Sequence, residues 1–382
     1  MLSQPCRSPI TGTFLLTGLL ISPLASADMP KTLNWTAYGT GTSGHAQIMA
    51  IGQIIQQRSG TQFRVIPGAN DILRMSPLKS GRVDLCACGI ASYYGSEGVM
   101  MFANRDWGPQ PIRVISTSMA SFGLGMAVAG DMNVQTPTDL KGKRVAYIRG
   151  DDALNKAVEA YLAFGGLTWD DVEQVVFPGY NSAFDGIISG RADAAVTTTV
   201  TPAAQRLAAS PRGIQWPELS LDDTAGWHRM EAVAPYFQPH KVTTGAGIPE
   251  IGYSSASYPY PIMVGNADLE YDTAYGLIKT LVEDYDRYKD AAPGAAGYAV
   301  ENQNMTWVIP FHEAVVDYYR EAGLWTDAMQ AHQQRLVKRQ QVLATAWNDY
   351  LASAPEDNDA FRENWMAARS QALRRAGMPP VF

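Results

Sequence analysis

The sequence is poor in the residues and patterns that would indicate a metal centre or a nucleic-acid partner. Only 3 cysteines and 5 histidines occur in 382 residues, and the net charge at pH 7 is −7. A chain with this charge is a poor partner for a phosphate backbone. It also has no long run of like charges and no low-complexity tract, so no disordered tail is predicted.

Long hydrophobic runs are missing as well. The main candidate for a membrane-spanning segment lies near the N-terminus. The apolar stretch at 14–24 falls short of the ~20 residues that a membrane-spanning helix requires. It follows Arg7 and precedes Ala25-Ser26-Ala27, the A-x-A pattern after which signal peptidase cuts. Residues 1–27 are therefore predicted to be a signal peptide, cleaved after about Ala27, and the mature chain is expected to be soluble and periplasmic.

Cleavage would leave about 355 residues, enough for two domains with a full apolar core in each. Because Arg7 is the one charged residue before the cleavage point, the net charge would change from −7 to −8. Cys86 and Cys88 would remain, about 6.6 Å apart on one face of a strand, a spacing that strains a disulfide. We therefore expect two buried free thiols and no metal site, since no other cysteine or histidine is near in sequence.

Strand-like and helix-like segments alternate in two blocks, each in the order β-α-β-α-β that is typical of a parallel sheet. The predicted strands lie at 33–37, 63–66, 83–88, 112–117, 123–129, 144–148, 175–177, 192–197 and 260–264. The predicted helices lie at 45–58, 70–79, 151–164, 182–189, 271–290, 311–321 and 327–376, the last one split at 353–355. Residues 205–257 show no regular pattern and are rich in proline, glycine and aromatics.

The two blocks share a short motif. Residues 80–84 and 189–193 both read Ser-Gly-Arg-x-Asp, at the end of a helix and just before a small apolar strand. This repetition predicts an α/β fold with two similar lobes. Lobe I is predicted at 28–122 and again at 261–382, where C-terminal helices brace it, and lobe II at 123–260. Hinge segments are predicted near 118–126 and 256–262.

A GxGxxG loop at residues 39–44 stands between the first predicted strand and the first helix. In dinucleotide-binding domains such a loop holds a pyrophosphate at a helix N-terminus. An exported chain is a poor candidate for NAD, and Pro67 and Gly68 stand where an acidic residue would hold the ribose. The same backbone donors can bind any small anion, including a carboxylate.

Six segments in this order resemble the TAXI family of extracytoplasmic solute receptors, which serve TRAP transporters. They are YGTGTSG at 38–44, SGRVDL at 80–85, DLKGKRVAYIRG at 139–150, AFGGLTWDDV at 163–172, GRADAAV at 190–196 and VIPFHEAVVDYYREAGLW at 308–325. The resemblance implies a two-lobed type II periplasmic binding protein whose cleft takes a dicarboxylate, a keto acid or an acidic amino acid. It also implies that the membrane subunits of a TRAP transporter are the partner and that an ion gradient supplies the energy.

The candidate ligand-binding residues follow the predicted strands, because ligands of open α/β sheets collect beyond the carboxyl ends of the strands. Arg74 and Arg149 could pair with a carboxylate, and the hydroxyls are neutral donors. Each candidate also has a structural alternative as a helix cap, a surface charge or a packing aromatic. The candidates are Tyr38, Thr40, Thr42, Ser43, His45, Asn70, Arg74, Tyr93, Arg149, Tyr180, Asn181, Thr197, Thr198, Thr199, Tyr253 and Tyr258.

The sequence departs from the TAXI pattern in two segments near the expected ligand. Residues 45–47 stand where the family usually has a tyrosine pair, and Gly150-Asp151-Asp152 replaces a Gly-Ser-Gly type of turn. Arg74 also stands where asparagine is more usual. Ligand contacts therefore cannot be copied from the family, and the chemical identity of the acid stays open.

Two other functional classes compete with a solute receptor. An exported α/β enzyme would need a nucleophile, and Ser43 misses the G-x-S-x-G pattern by one residue. An interaction protein could use the apolar positions of the helix at 328–351, although bracing of lobe I is favoured. The predicted function is a monomeric solute-binding protein with no catalysis, cofactor or metal.

Overall fold

The computed structural model describes residues 29–40, 42–68, 70–149 and 151–382, together with Met1. The predicted signal peptide and its cleavage point after Ala27 lie outside the described residues and stay predictions. None of the helices in the described ranges combines the length and the apolar character that a membrane crossing requires.

Strands and helices alternate along most of the described chain. The strands are β1 (Thr32–Tyr38), β2 (Gln62–Gly68), β3 (Leu85–Cys88), β4 (Ile112–Ser116), β5 (Leu124–Ala129), β6 (Arg144–Ile148), β7 (Glu173–Phe177), β8 (Ala194–Thr198), β9 (Ile214–Gln215), β10 (Gln238–Val242), β11 (Tyr253–Ser257) and β12 (Ile262–Asn266). The helices are α1 (Ser43–Ser59), α2 (Asp71–Lys79), α3 (Ala91–Glu97), α4 (Asp152–Phe164), α5 (Tyr180–Ile188), α6 (Pro202–Ala209), α7 (Thr224–Val233), α8 (Tyr271–Glu283), α9 (Tyr285–Tyr288), α10 (Glu313–Glu321), α11 (Asp327–Leu351) and α12 (Asn358–Arg375).

Two five-stranded sheets organise the protein into two lobes. The sheet of lobe I has the order β2-β1-β3-β12-β4, and that of lobe II has the order β7-β6-β8-β5-β9. In each sheet the first three strands run parallel and the fourth runs antiparallel to its neighbours. Helices α4 to α7 pack in lobe II, and the other helices pack in lobe I. The two-lobed α/β fold predicted from the sequence is confirmed.

The repeated Ser-Gly-Arg-x-Asp motif performs the same task in both lobes. The Asp84 carboxylate accepts a hydrogen bond from the Asn34 amide of β1 at 2.7 Å. The Asp193 carboxylate accepts one from the Arg144 amide of β6 at 3.0 Å. In each case the aspartate ties the start of the third strand of its lobe to the first strand, and the glycine before it ends a helix with a positive φ.

Lobe I begins with a strand, a helix and a second strand that pack closely. Thr42 caps α1 through its side chain, and Gly60 ends the helix in the left-handed conformation with a φ of 74°. A Cβ atom at Gly52 would lie 2.0 Å from the ring of Phe63, so only glycine lets α1 approach β2 this closely. This packing holds the N-terminus of α1 at the carboxyl end of β1.

The chain crosses between the lobes twice, through the crossing segments 117–123 and 258–261. The first joins β4 to β5, and the second joins β11 to β12. The two segments are bonded to each other, because the Tyr260 amide donates to the Ser118 carbonyl at 2.7 Å. They overlap the two regions in which the sequence predicts a hinge.

The C-terminal helices α11 and α12 pack on each other and on lobe I. The buried Glu97 carboxylate of α3 accepts hydrogen bonds from Arg339 of α11, at 2.6 and 2.8 Å, and from Arg369 of α12. The indole of Trp365 donates to the Gly98 carbonyl at 2.6 Å. A buried ion cluster therefore fixes this C-terminal hairpin to the rest of lobe I.

Two sequence predictions about this part of the molecule are wrong. Cys86 and Cys88 form a disulfide rather than two free thiols. Their Cα atoms are 5.6 Å apart, which lies within the usual disulfide range, because the short β3 is less extended than an ideal strand. Residues 205–257 are also more regular than predicted, since they contain α7 and the hairpin of β10 and β11.

Candidate functional site

A cleft of about 690 Å³ lies between the two lobes, a size typical of small-molecule sites. Both lobes and both crossing segments contribute to its walls. Lobe I provides Thr42, Ser43, His45, Ala46 and Pro293; lobe II provides Leu124, Leu154, Tyr180, Asn181, Thr197, Thr198, Val200, Thr201, Pro202, Ala203, Arg206 and Ser257; the crossing segments provide Phe122, Tyr258 and Tyr260.

The N-terminus of α1 opens onto the cleft from lobe I. The Ala46 amide makes the first bond of the helix to the Thr42 carbonyl at 3.1 Å, and the Thr42 hydroxyl accepts from the His45 amide at 3.2 Å. The amides of Ser43 and Gly44 come before this first bond and have no acceptor inside the helix. With the helix dipole, they form a positive end that favours an anion.

Two helices of lobe II present the same kind of terminus to the cleft. In α5 the first helical bond runs from Ala183 to Gly179, so the amides of Tyr180 and Asn181 have no acceptor inside the helix. In α6 the Ala203 amide lacks such an acceptor for the same reason, since the first bond runs from Gln205 to Thr201. The cleft thus receives the N-termini of three helices from two lobes.

Hydroxyl groups surround the lobe II side of these termini. The Tyr180 hydroxyl lies 2.5 Å from Thr197 Oγ1 and 3.2 Å from Thr201 Oγ1, and the two threonine oxygens are 3.0 Å apart. Burial raises the pKa of Tyr180, and its hydrogen bonds with the two threonines partly offset this effect. The cluster stays neutral and can donate to, or accept from, a polar ligand.

The remaining wall is largely apolar and aromatic. Phe122 and Leu124 are each 6% exposed, and Leu154 and Val200 are half-buried. Tyr260 packs on Tyr38 with a ring distance of 5.0 Å, and burial raises the pKa of Tyr260 to about 12, so the phenol is neutral near pH 7. Hydrocarbon parts of a ligand would be removed from water against these side chains.

Eight of the sequence-predicted site residues line the cleft. Thr42, Ser43 and His45 do so from α1, and Tyr180 and Asn181 from α5. The others are Thr197, Thr198 and Tyr258.

Arg74 and Tyr38 lie beside the cleft and interact with each other. The Arg74 guanidinium stands 4.1 Å from the centre of the Tyr38 ring, donates to the Gly68 carbonyl at 3.1 Å and pairs with Asp71. Its side chain is 9% exposed. The charge of Arg74 is therefore already paired inside lobe I, and neither residue lines the cleft.

The other six predicted residues also lie away from the cleft walls. Asn70 caps α2 by accepting from the Leu73 amide at 2.9 Å, and Thr199 is buried and donates to the Thr244 carbonyl at 2.7 Å. Tyr253 stacks on Trp216 in the core of lobe II. The remaining three are Thr40 and Arg149, which are exposed, and Tyr93, which is buried beside Tyr236.

Several cleft residues were not predicted. The pair Thr201-Pro202 is a helix start of the N-cap and N1-proline type, and this signal could have located α6 and its cleft residues. Arg206 lies one turn further along the same helix. Tyr260 and Phe122 lie in the predicted hinge segments, where Tyr258 was predicted as a site residue but these two were not, because the segments carry no periodic pattern that shows which side chains face the cleft.

The groove along the C-terminal helices and the possible metal ligands do not offer a comparable site. A groove of about 900 Å³ runs along the C-terminal hairpin, between Tyr350 and Arg375, and no residue of lobe II lines it. In the described ranges no group of three or more His, Cys, Asp and Glu side chains is arranged to hold a metal ion. The interlobe cleft is therefore the candidate functional site.

Comparisons with known proteins give a family and a set of distant structural similarities. The chain is similar to the periplasmic aliphatic sulphonate binding protein SsuA from Escherichia coli, at 13% identity and a TM-score of 0.46, over 91% of this chain and 89% of that one. It is similar to the alkanesulfonate-binding protein SsuA from Xanthomonas axonopodis pv. citri bound to MOPS, at 15% identity and a TM-score of 0.42, over 85% and 93%.

A third similar structure is an ancestral arginine-binding protein bound to arginine, at 15% identity and a TM-score of 0.41, over 69% of this chain and 97% of that one. No curated protein matches the sequence at a significant level. The sequence model of the NMT1-like family matches residues 9–323, which leaves α11 and α12 outside the match. Since the matched region is well over half of the chain, the chain belongs to the NMT1-like family.

Proposed function

We propose that this protein is a periplasmic solute-binding protein that captures a small organic anion between its two lobes. The observation that carries this proposal is the convergence of three helix N-termini, from α1, α5 and α6, on one interlobe cleft. Each terminus offers backbone amides without an acceptor inside the helix and a partial positive charge of about half a unit. A carboxylate or a similar group would accept these hydrogen bonds.

The cleft favours binding over chemical turnover. Among the described residues that line the cleft there is one histidine, His45. In the described part of the chain no hydroxyl group is hydrogen-bonded to the imidazole ring of His45. A serine or threonine nucleophile requires such a base within hydrogen-bond reach. The cleft hydroxyls of Tyr180, Thr197 and Thr201 are instead bonded to one another. The ligand is released unchanged.

Closure of the lobes on the ligand would occur about the crossing segments 117–123 and 258–261. With these as hinges, the two lobes are 28–122 plus 261–382, and 123–260. A ligand favours the closed state only as far as it binds that state more tightly than the open one. Because the amides of Ser43 and of Tyr180 and Asn181 belong to different lobes, an anion that contacts both draws the lobes together.

The resemblance to the TAXI family supports delivery of the ligand to the membrane subunits of a TRAP transporter. In this role the chain acts as a monomer, and recognition of the closed form passes the acid to the membrane subunits. The expected ligand classes are dicarboxylates, keto acids and acidic amino acids. N-terminal sequencing of the exported protein checks the localisation, with Asp28 expected as the first residue.

A ligand screen of residues 28–382 tests the proposed function. Thermal shift identifies acids that raise the melting temperature, since a ligand that binds only the native state stabilises it. Calorimetry then compares each acid with its neutral amide, which has the same shape and no charge. We expect 1:1 binding of at least one acid, binding of its amide at least tenfold weaker, and recovery of the acid unchanged. Equal binding of acid and amide, or conversion of the acid, would contradict the proposal.

A further inference from the structure

We infer that the ligand carries one anionic group on an apolar body, rather than two acidic groups. This inference rests on the proposed capture of a small organic anion, and it departs from the dicarboxylates and acidic amino acids that the resemblance to the TAXI family implies. It follows from which charges and which hydrocarbon surfaces line the interlobe cleft, and it favours a medium-length monocarboxylate or monosulfonate over a dicarboxylate or an acidic amino acid.

The cleft has little positive charge to offer a second acid. Arg206 is the one Lys or Arg among its described lining residues, its side chain is 46% exposed, and it pairs with Asp185 at 3.2 Å. Arg74, the nearby buried cation, is paired with Asp71 and lies outside the lining. A second carboxylate would lose its hydration without gaining a full counter-charge, which is costly.

An acidic residue outside the lining is hydrogen-bonded to the backbone of an apolar lining residue. Asp151 caps α4 by accepting from the Leu154 amide at 3.0 Å, and Leu154 lines the cleft. A dianion that placed its second group against Leu154 would therefore approach a carboxylate. A methylene chain placed there meets no such repulsion.

The hydrocarbon surface of the cleft is suited to an apolar body. Phe122, Leu124, Leu154, Val200 and Ala203 are apolar residues of the cleft lining, and Phe122, Leu124 and Ala203 are more than nine-tenths buried. Each ligand methylene removed from water by such side chains strengthens binding about fourfold. A polar body, such as the ammonium group of an amino acid, would find few partners among these side chains.

Carboxylate and sulfonate share the chemistry that the helix termini recognise. Both are singly charged near pH 7 and accept hydrogen bonds from several amides at once. The cleft lining indicates a ligand with one anionic group and an apolar body. A direct comparison of hexanoate with hexane-1-sulfonate distinguishes the two head groups.

Calorimetry of the mature chain with a matched six-carbon set tests this inference. The probes are hexanoate, hexane-1-sulfonate, adipate and hexanamide, with butanoate and pentanoate as shorter members. We expect hexanoate or hexane-1-sulfonate to bind at least tenfold more tightly than adipate, and each added methylene to improve binding about fourfold. Adipate binding as tightly as hexanoate would overturn the inference while leaving the proposed function intact. Binding of none of these acids would overturn the inference, whereas the proposed function fails only if no acid of the wider screen binds.

A pair of variants tests whether the apolar lining residues cause the preference for an apolar ligand body. Leu154→Asn places an amide in the wall, and Leu221→Asn makes the same change at a site in lobe II that is 54% exposed and outside the cleft. We expect Leu154→Asn to weaken hexanoate binding at least fivefold and to flatten the gain per methylene, and Leu221→Asn to change neither. Melting temperatures verify that both variants fold. Equal hexanoate binding by both folded variants would contradict the assignment.

Discussion

The hydroxyl of Tyr94 in lobe I lies 2.7 Å from the hydroxyl of Tyr236 in lobe II, and both side chains are buried. Burial raises the pKa of each phenol above its ordinary value, so both stay neutral at physiological pH. Tyr236 also packs on Tyr258, which lines the cleft, at a ring distance of 5.5 Å. This hydrogen bond joins the lobes directly beside the ligand site.

Tyr236→Phe is expected to lower the free energy of unfolding by about 1–2 kcal/mol, because it leaves the buried Tyr94 hydroxyl without its partner. The double variant Tyr94→Phe/Tyr236→Phe should recover much of this loss, since neither hydroxyl then remains unpaired. Urea unfolding of the four proteins in a double-mutant cycle measures the coupling. Additive losses would show that the two hydroxyls do not interact.

A single isosteric change in the Glu97 ion cluster is expected to lower the free energy of unfolding strongly. Glu97→Gln leaves Arg339 and Arg369 buried without a counter-charge, so we expect a loss of about 3–5 kcal/mol in urea unfolding. Hydrogen exchange should show earlier opening of α12, which the cluster fixes to lobe I. Asp317→Asn is the matched control, since it breaks the exposed pair with Arg320 and should cost no more than about 1 kcal/mol. Equal losses in the two variants would refute the role of the cluster.

Because the Asp193 carboxylate is buried and ion-paired, the free energy of unfolding of lobe II is expected to fall at acid pH. Burial alone would raise its pKa, but hydrogen bonds from Arg144 and Arg212 outweigh burial and hold the pKa of Asp193 below its ordinary value. A group with a depressed folded-state pKa stabilises the protein above the unfolded pKa, here about 3.9, and this stabilisation is lost as pH falls through the folded pKa.

Asp193→Asn is therefore expected to cost about 3 kcal/mol at pH 7 and at pH 5, and less at pH 3.5 and below. Urea unfolding across this pH range measures the difference. Asp84→Asn, at the equivalent position of lobe I, should cost less, because Asp84 accepts from a backbone amide rather than from two arginines. A loss for Asp193→Asn that does not change with pH would contradict the account.

The strands and helices that carry strong local patterns were predictable from the sequence. The helix at 45–58 was predicted because its apolar residues follow a 3.6-residue period after a Thr-Ser capping pair, and α1 is found at Ser43–Ser59. The equivalent roles of Asp84 and Asp193 follow from the repeated motif. The hairpin of β10 and β11 was missed because Pro239 and His240 interrupt any alternation, which a two-stranded edge tolerates.

The candidate site was predictable only in part, because position after a strand does not fix where a side chain points. Ser43 and Tyr180 follow strands and line the cleft, whereas Arg74 is drawn back by Asp71 and the ring of Tyr38. Such a competition between partners depends on tertiary contacts. The residues of the crossing segments, such as Tyr260, enter the cleft only because the two lobes face each other.

A proline substitution at the start of α1 tests the central claim, that backbone amides of both lobes hold an anion. Ser43→Pro removes one cleft amide at the first helical position, where proline is well tolerated. Thr42, the preceding residue, already has the extended backbone that a following proline requires, with φ −89° and ψ 157°. Ser43→Ala removes only the hydroxyl and keeps the amide, so it is the matched control.

Calorimetric titration of both variants and the unchanged chain with hexanoate, or with adipate if it binds more tightly, is the most direct measurement. We expect Ser43→Pro to weaken binding about tenfold or more, the effect of losing a hydrogen bond to a charged group, at an unchanged melting temperature. Ser43→Ala should weaken it by a smaller factor. Binding of the acid by Ser43→Pro as tight as by Ser43→Ala would contradict the claim that the amides of α1 hold the anion.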